Sequence, residues 1–270
     1  MAEDGFDKYP GLAFERRDGG ILVMGLNRPD RLNATRAADH RDLSRVWLDI
    51  DDDPDTLAVV VTGEGRAFSA GGELAWIESM VENYDGMKAA FREAGDIVYR
   101  MTECSKIIVS AINGVAVGAG LAVALMADIS IMDEDARLTD GHLRLGVAAG
   151  DHAVILWPLL CGLAKAKYDL LTSEFIDGRT ADQIGLVSKA VPADEVMPEA
   201  LRIAETIASG PTDAAQWTKR ALNLWLKQAA PAFDASLALE MLTFMGPDAN
   251  EGTAALREKR APRFDAGQQK

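Results

Sequence analysis

Two glycine-rich segments are the part of the chain best suited to chemistry. Each follows an apolar run typical of a buried β-strand: residues 57–62 precede EGRAFSAGGEL, and Ile107–Ile112 precedes NGVAVGAG. Small residues let a substrate approach the backbone closely. Two backbone N–H groups aimed at one carbonyl oxygen form an oxyanion hole, which stabilises an enolate or a tetrahedral intermediate. We expect Gly72 and Ala119 to supply these two N–H groups.

An acid–base pair is available in a later loop, LTDGHLRLGVAAGDH. Two of the three histidines of the chain, His142 and His152, lie in this loop together with Asp151. Imidazole takes up and releases a proton near neutral pH, so His142 and Asp151 are the candidate pair for activating water or moving a proton. If a free imidazole acts as the base, activity should be lost below the pKa of that imidazole. Asp151 equally suits the N-cap of a helix beginning at His152, and the sequence leaves both roles open.

Two further titratable side chains are expected at the surface. His40 lies in a polar helical stretch, and Glu240 is a lone acid among apolar residues in LALEMLTF. Charged side chains on helices are mostly exposed. We therefore expect neither residue in the active site.

The elements that must position these residues follow an alternating order. Residues 14–17 and 21–26 flank an Asp-Gly-Gly sequence, which predicts a β-hairpin. Residues 35–50 carry apolar side chains at helical spacing, and residues 73–104 are mostly helical with a break at Asn-Tyr-Asp-Gly. Strands that alternate with helices predict an α/β core.

From residue 193 onward the pattern is almost entirely helical, with predicted helices at 193–209, 212–227 and 232–244. We therefore divide the chain into an α/β core at 1–192 and a C-terminal helical region at 193–270. The tail at 265–270 is expected to be disordered.

An ordered set of motifs covers nearly the whole chain: LNRPDRLNA, RAFSAGGEL, NGVAVGAGLAVALMADISI, LGVAAGD and GRTADQIGLVSKAV. This set resembles the enoyl-CoA hydratase/isomerase, or crotonase, superfamily. The resemblance implies a spiral of repeated ββα units with a C-terminal helical region that builds a trimer or a dimer of trimers. It also implies an acyl-CoA thioester as substrate, with no bound cofactor other than the coenzyme A of that substrate, and no metal.

The resemblance also implies which residues contact the substrate. Residues of the two turns and the helix after the first turn are expected beside the acyl group: Ser69, Ala70, Trp76 and Gly118. Coenzyme A is polyanionic, so a chain of net charge −14 needs basic residues clustered near the site. Arg28, Arg31 and the C-terminal sequence LREKRAPR are the obvious candidates.

The main departure from the family lies at its two catalytic glutamates. Hydratases of this family use them to position and activate water, and the matching positions here are Ala122 and His142. Isomerisation, hydration and retro-Claisen hydrolysis of a thioester remain open. One alternative is a β-diketone hydrolase that needs no coenzyme A, because one branch of the superfamily uses a His and an Asp with the spacing of His142 and Asp151. Another is a non-catalytic binding protein with the same fold.

Composition excludes other classes. The negative charge disfavours nucleic acid and anionic membranes as partners. Residues 107–127 carry no charge and are long enough to cross a bilayer, but Asn113 and the glycines favour a buried strand, turn and helix. Cys104 and Cys161 have no metal-binding spacing, which favours a reducing compartment. The N-terminal segment lacks the apolar core of a signal peptide, so we expect a cytoplasmic protein.

Overall fold

The computed structural model describes residues 5–264, so the expectation of a disordered tail at 265–270 lies outside it. Its strands are β1 (Leu12–Arg17), β2 (Ile21–Leu26), β3 (Ala58–Gly63), β4 (Ala67–Ser69), β5 (Ile107–Ile112), β6 (Val115–Val117), β7 (Ile129–Asp133), β8 (Arg137–Thr139), β9 (Ile176–Asp177) and β10 (Lys189–Val191). Its α-helices are α1 (Ala37–Asp52), α2 (Leu74–Met80), α3 (Tyr84–Glu103), α4 (Gly118–Met126), α5 (Ala153–Cys161), α6 (Leu163–Thr172), α7 (Gly178–Gln183), α8 (Val196–Ala208), α9 (Thr212–Leu222), α10 (Leu224–Phe244) and α11 (Pro247–Glu258).

From β3 to β8, consecutive strands alternate between two sheets. The larger sheet has the order β1-β2-β3-β5-β7-β10, and the smaller sheet has the order β4-β6-β8-β9. β3, β5 and β7 are parallel neighbours in the larger sheet, while β4, β6 and β8 are parallel neighbours in the smaller one. Each pair of strands is followed by helical structure, so the expected spiral of ββα units with C-terminal helices is confirmed.

The apolar runs form the central strands because both faces of the larger sheet are covered. Every residue of β3 and β5 is buried, as parallel sheets flanked by helices require. Val59 and Ile108 face a core built with α1, α3 and α4, whereas Val60 and Val109 face α8. Runs of β-branched residues suit such strands because they pack well on a pleated surface.

Several predicted elements are confirmed and two helix boundaries are wrong. β1 and β2 form the expected antiparallel hairpin, and the uncharged run at 107–127 becomes β5, β6 and α4. The helices predicted at 212–227 and 232–244 are instead α9 and α10, which divide at Asn223. α10 continues through Pro231, because Phe233 and Leu237 beyond it are anchored in the core. The division of the chain into a core at 1–192 and a helical region at 193–270 stays a prediction.

None of the helices within residues 5–264 is long and apolar enough to cross a membrane.

Candidate active site

The two glycine-rich turns meet at one edge of the smaller sheet. The first turn follows β4 and the second follows β6, and these strands are parallel neighbours, so their carboxyl ends lie side by side. Gly71 has a φ of +88°, which favours glycine, and a Cβ at this position would lie 3.2 Å from the carbonyl oxygen of Val117. The turns are therefore in close contact.

Both turns carry a backbone N–H group that is a candidate donor to a ligand. The backbone of Thr35 bonds to the first turn through the carbonyl of Gly71 and the N–H of Glu73, and the N–H of Gly72 bonds to no residue between 5 and 264. Ala119 is the second residue of α4, and its N–H precedes the first intrahelical hydrogen bond. Gly72 and Ala119 both line the cavity described below, and the oxyanion hole that they would form stays a prediction.

His142 lies at the end of the neighbouring strand and is surrounded by carboxylates. It begins a 3-10 helix, His142–Leu145, that follows β8. Its Nδ1 lies 3.0 Å from Oδ2 of Asp140, while its Nε2 lies 3.5 Å from Oε1 of Glu240 and 3.8 Å from Oδ2 of Asp151. One imidazole thus contacts three acidic groups from different parts of the chain.

These contacts hold a proton on His142. Burial alone would lower the pKa of His142, but the charges of Asp140, Asp151 and Glu240 outweigh it and raise the pKa well above its usual value. Burial would raise the pKa of Asp151, but the imidazoles of His152 and His142 hold it well below its usual range. Burial raises the pKa of Glu240, against the opposing charge of His142. The carboxylates therefore favour the protonated form of His142, and the imidazoles favour the ionised form of Asp151.

The helix after this loop begins without a cap from Asp151. α5 begins at Ala153, its N-cap residue is His152, and no side-chain cap bond forms there. Oδ1 of Asp151 instead pairs with Nδ1 of His152 at 2.5 Å, and the His152 ring is fully buried. The capping role that the sequence left open for Asp151 is therefore wrong.

Two expectations of surface position are also wrong. Glu240 lies on α10, is 6% exposed, and reaches His142 because α10 packs against α3 and α5 and covers the loop. His40 lies on α1, is 4% exposed, and lines the same cavity. Both helices carry a polar residue inward at the site, and helical periodicity alone does not separate such a residue from a solvent-exposed one.

The cavity brings together most, but not all, of the predicted substrate residues. Its volume is about 590 Å³, and its lining includes Gly72, Ala119, His142, Asp151, Ala70, Trp76 and Gly118. Ser69 lies beneath the first turn, where its hydroxyl donates to the carbonyl of Asn33 and accepts the N–H of Gly71. Ser69 therefore shapes the turn instead of lining the cavity.

Of the predicted basic residues, Arg28 and Arg31 lie outside the cavity lining, whereas Arg260 of the C-terminal LREKRAPR sequence lines it. Arg28 is 2.7 Å from Oε2 of Glu73 and 3.5 Å from Oδ2 of Asp39. Its positive charge is thus largely neutralised by carboxylates of the chain itself. Arg31 lies in the exposed 3-10 helix Pro29–Arg31.

A group of acids and a histidine could in principle hold a cation. Ligand atoms of Asp140, Asp151 and His152 lie within 4.8 Å of one another. However, Asp140 already pairs with His142, and Asp151 with His152. These pairings use the imidazoles as counter-charges, and the expectation of no metal stays a prediction.

Comparisons with known proteins agree on one family. A sequence model described as enoyl-CoA hydratase/isomerase matches residues 16–268. A probable enoyl-CoA hydratase of Mycobacterium bovis is 32% identical over 92% of this chain and 95% of its own length. A putative enoyl-CoA hydratase of Thermus thermophilus is 34% identical over 91% and 98% of the two chains.

Two solved structures are informative about the site. An enoyl-CoA hydratase/isomerase from Mycobacterium paratuberculosis superposes with a TM-score of 0.86 and 35% identity over 90% of this chain and 97% of that one. A β-diketone hydrolase from Anabaena, bound to (S)-3-oxocyclohexyl acetic acid, has a TM-score of 0.82 and 29% identity over 88% and 96%. Proteins that are similar over nearly the full length thus include both thioester and diketone chemistry in their names.

Proposed function

The chain belongs to the enoyl-CoA hydratase/isomerase family, a family of enzymes, and from that premise we propose that it hydrolyses a carbon–carbon bond in an acyl-CoA thioester. The substrate carries a second carbonyl group β to the thioester, and the reaction is a retro-Claisen cleavage. The observation that supports this proposal is the cavity itself, which is lined both by His142 with the carboxyl groups of Asp151 and Glu240 beside it and by the two glycine-rich turns.

The cleavage uses each of these groups once. The thioester oxygen accepts hydrogen bonds from the N–H groups of Gly72 and Ala119. Water adds to the β-carbonyl carbon, the bond between the α- and β-carbons breaks, and its electron pair becomes a thioester enolate. The two N–H groups stabilise that enolate, a contribution of about 3–4 kcal/mol for one such donor. His142 then donates its proton to the α-carbon, which yields a carboxylic acid and a shortened thioester.

The protonation states suit these roles. Groups whose surroundings drive their pKa values apart are the natural acid and base of a site. The raised pKa of His142 keeps its proton available at neutral pH, and the lowered pKa of Asp151 keeps that carboxylate ionised to hold water. Glu240, 3.5 Å from Nε2 of His142, adds to the charges that favour the protonated imidazole.

Hydration is disfavoured because the groups that would bind its water are missing. Ala122 is buried and has only a methyl group where the family's first glutamate is expected. His142 occupies the second position, where its proton already faces carboxylates. We therefore expect little hydration of a short enoyl-CoA, since general acid–base groups supply about two to four orders of magnitude in rate.

A second candidate is β-diketone hydrolysis without coenzyme A. Arg28, expected to bind coenzyme A phosphates, already pairs with Glu73 and Asp39. The similarity to the Anabaena hydrolase points the same way. The free N–H groups of both turns nevertheless favour a thioester as the leading substrate class.

Three substrates distinguish these functions. Acetoacetyl-CoA, crotonyl-CoA and cyclohexane-1,3-dione are incubated with the purified protein, and products are followed by chromatography. Cleavage of acetoacetyl-CoA to acetate and acetyl-CoA, with slow or absent hydration of crotonyl-CoA, is expected. Rapid crotonyl-CoA hydration without cleavage would overturn the proposal, and cleavage of the dione alone would replace it with the second candidate.

We further propose a trimer or a dimer of trimers that acts in the cytoplasm and binds no cofactor apart from the coenzyme A of its substrate. Large apolar side chains exposed on α9 and α10 support the assembly. The thiols of Cys104 and Cys161, which are both free, support the reducing compartment.

A further inference from the structure

A second histidine of the cavity has no part in the reaction as described so far. His40 is in the first turn of α1, and its Nδ1 lies 2.8 Å from Oε2 of Glu93 on α3. Both side chains are largely buried. A carboxylate bonded to one imidazole nitrogen fixes the tautomer, so the proton stays on Nδ1 and Nε2 keeps its lone pair.

The other nitrogen of His40 is open to the cavity. Nε2 forms no hydrogen bond with any residue between 5 and 264. The atom is not fully buried, so it remains in contact with accessible space. Since His40 lines the cavity, that space is where a substrate or water would bind. The arrangement matches a general base: one nitrogen oriented by an acid and the other free to accept a proton.

His40 is also placed beside the reacting groups. Its ring packs on Trp76 with centroids 4.8 Å apart, and the Trp76 ring would lie 3.5 Å from a Cβ on Gly72. Asp151 lines the same cavity. His40 therefore shares the cavity with the first turn and with Asp151.

The proposed cleavage leaves one proton without an acceptor. Water must lose a proton as it attacks the β-carbonyl carbon, but His142 is already protonated. The lowered pKa of Asp151 makes that carboxylate a weak base. His40 offers a further acceptor in the same cavity, because its Nδ1 is bonded to Glu93 and its Nε2 is not.

We propose that His40 is the general base of this reaction and that Glu93 is its positioning residue. This inference rests on the proposed carbon–carbon hydrolysis. The water oxygen bonds to the β-carbonyl carbon and its proton goes to Nε2 of His40. The pair from the broken carbon–carbon bond forms the enolate, whose α-carbon takes the proton of His142. Solvent then removes the proton from His40 and restores the one on His142, so no oxidant or further reactant is needed.

Two half-reactions separate His40 from His142. Cleavage of acetoacetyl-CoA needs both residues. Exchange of the α-hydrogens of acetyl-CoA with deuterated solvent needs the oxyanion hole and His142, and it is measured at alkaline pH, where His142 can accept a proton. His40→Gln should lower kcat for cleavage about 10²- to 10⁴-fold, keep the exchange, and leave the Kd of acetyl-CoA within about threefold. Glu93→Gln keeps a hydrogen-bond acceptor and should lower kcat about tenfold by the same reasoning. Glu103→Gln, an exposed change on the same helix, is the matched control and should leave all three values unchanged.

Cleavage by His40→Gln at the wild-type rate would overturn the proposal. So would a joint loss of cleavage, exchange and acetyl-CoA binding, because that result describes a structural residue. If the wild-type protein exchanges hydrogens but does not cleave acetoacetyl-CoA, the proposed function fails. The role of His40 is then tested separately from the ¹⁵N chemical shifts of its imidazole ring. An unprotonated Nε2 that shifts on acetyl-CoA binding supports a base in the cavity. A protonated Nε2, or one that does not respond, overturns it.

Discussion

The proton on His142 sets how the site should respond to pH. Its pKa is raised in the folded protein by three carboxylates, so the stabilising contribution of the charged imidazole is fully present below the unfolded pKa and is lost as pH rises through the folded pKa. The same titration removes the proton that the enolate carbon needs. The site is therefore in its working form on the acidic side of this pKa, in contrast to the free base that the sequence alone suggests.

We predict that kcat/KM for acetoacetyl-CoA cleavage declines at alkaline pH because His142 loses its proton. Activity should persist through neutral pH and fall as His142 loses its proton. His142→Gln, which has no titrating ring, should lower the rate by orders of magnitude and lose this limb of the profile. A wild-type rate that instead rises through the same pH range would show that His142 works as a base.

Replacing Asp151 tests whether this carboxylate has a catalytic role or only a structural one. Asn caps helices nearly as well as Asp, but Asp151 caps no helix bond here. Asp151→Asn should lower kcat about a hundredfold or more. It should also lower the melting temperature, because it removes a buried charge that pairs with His152 and lies near His142. Near-normal turnover in this variant would limit Asp151 to a structural pairing with His152.

The N–H of Gly72 can be removed without losing a bond of the fold. Gly72→Pro deletes that N–H, which bonds to no other part of the described chain. We expect a loss of about 10²- to 10³-fold in kcat. Gly72→Ala is the matched control, since its Cβ meets Ile77 at 3.0 Å as a proline Cβ would, but its N–H remains. Equal losses in both variants would point to crowding at Ile77 instead of the oxyanion hole.

At the scale of elements, α10 completes the site by pressing on the loop between β8 and α5. A Cβ on Gly150 would lie 2.6 Å from the Cβ of Glu240 and 2.7 Å from the carbonyl oxygen of Ser236. Ser236 also donates a hydrogen bond to the carbonyl of Gly150. Glu240 reaches His142 only because the helix and the loop approach this closely.

We predict that Gly150→Ala displaces α10 and weakens the site. The added methyl group meets backbone and cannot be absorbed by one side chain, so a destabilisation of about 1–3 kcal/mol is expected, together with lower kcat. Gly95→Ala is the matched control on α3, because its Cβ would make only an ordinary 3.8 Å contact with Leu237. It should stabilise the protein by about 0.5–1 kcal/mol. Thermal unfolding and acetoacetyl-CoA kinetics measure both effects. Unchanged kinetics in Gly150→Ala would show that the position of α10 does not affect catalysis.

At the scale of the whole molecule, the exposed apolar side chains of the C-terminal helices call for a partner. Trp217 and Trp225 are 66% and 63% exposed, and Leu222 and Leu224 between them are also exposed. Such contiguous apolar surface is typical of an interface, and closed cyclic assemblies are the usual way to bury it between identical chains.

We predict that Trp225→Glu dissociates the trimer. A buried carboxylate without a partner would cost several kcal/mol at each copy of the interface. Light scattering at micromolar concentration should give a trimer or hexamer for the wild-type protein and a smaller species for the variant. Tyr84→Glu, an exposed aromatic change at the start of α3, should leave the mass unchanged. A wild-type monomer that binds acetyl-CoA would rule out this assembly.

The sequence by itself determined the fold and indicated where the candidate site lies. Runs such as β3 and β5 are apolar on both faces because the parallel sheet is covered on both sides. The length of each run and the turn residues that flank it identify it as a buried strand. The turn residues Gly72 and Ala119, and the loop carrying His142 and Asp151, are local features, since each depends on the backbone immediately around it. Those features, together with the ordered motifs, indicated the family.

Only the tertiary structure decided which groups share the cavity and which of them are charged. Glu240 and His40 come from helices far from the loop in sequence, and their burial depends on how α10 and α1 pack, which helical periodicity does not specify. The proton on His142 likewise depends on distances to Asp140, Asp151 and Glu240, because charge interactions act through space. The same holds for Arg28, whose pairing with Glu73 and Asp39 withdraws it from the role that composition suggested.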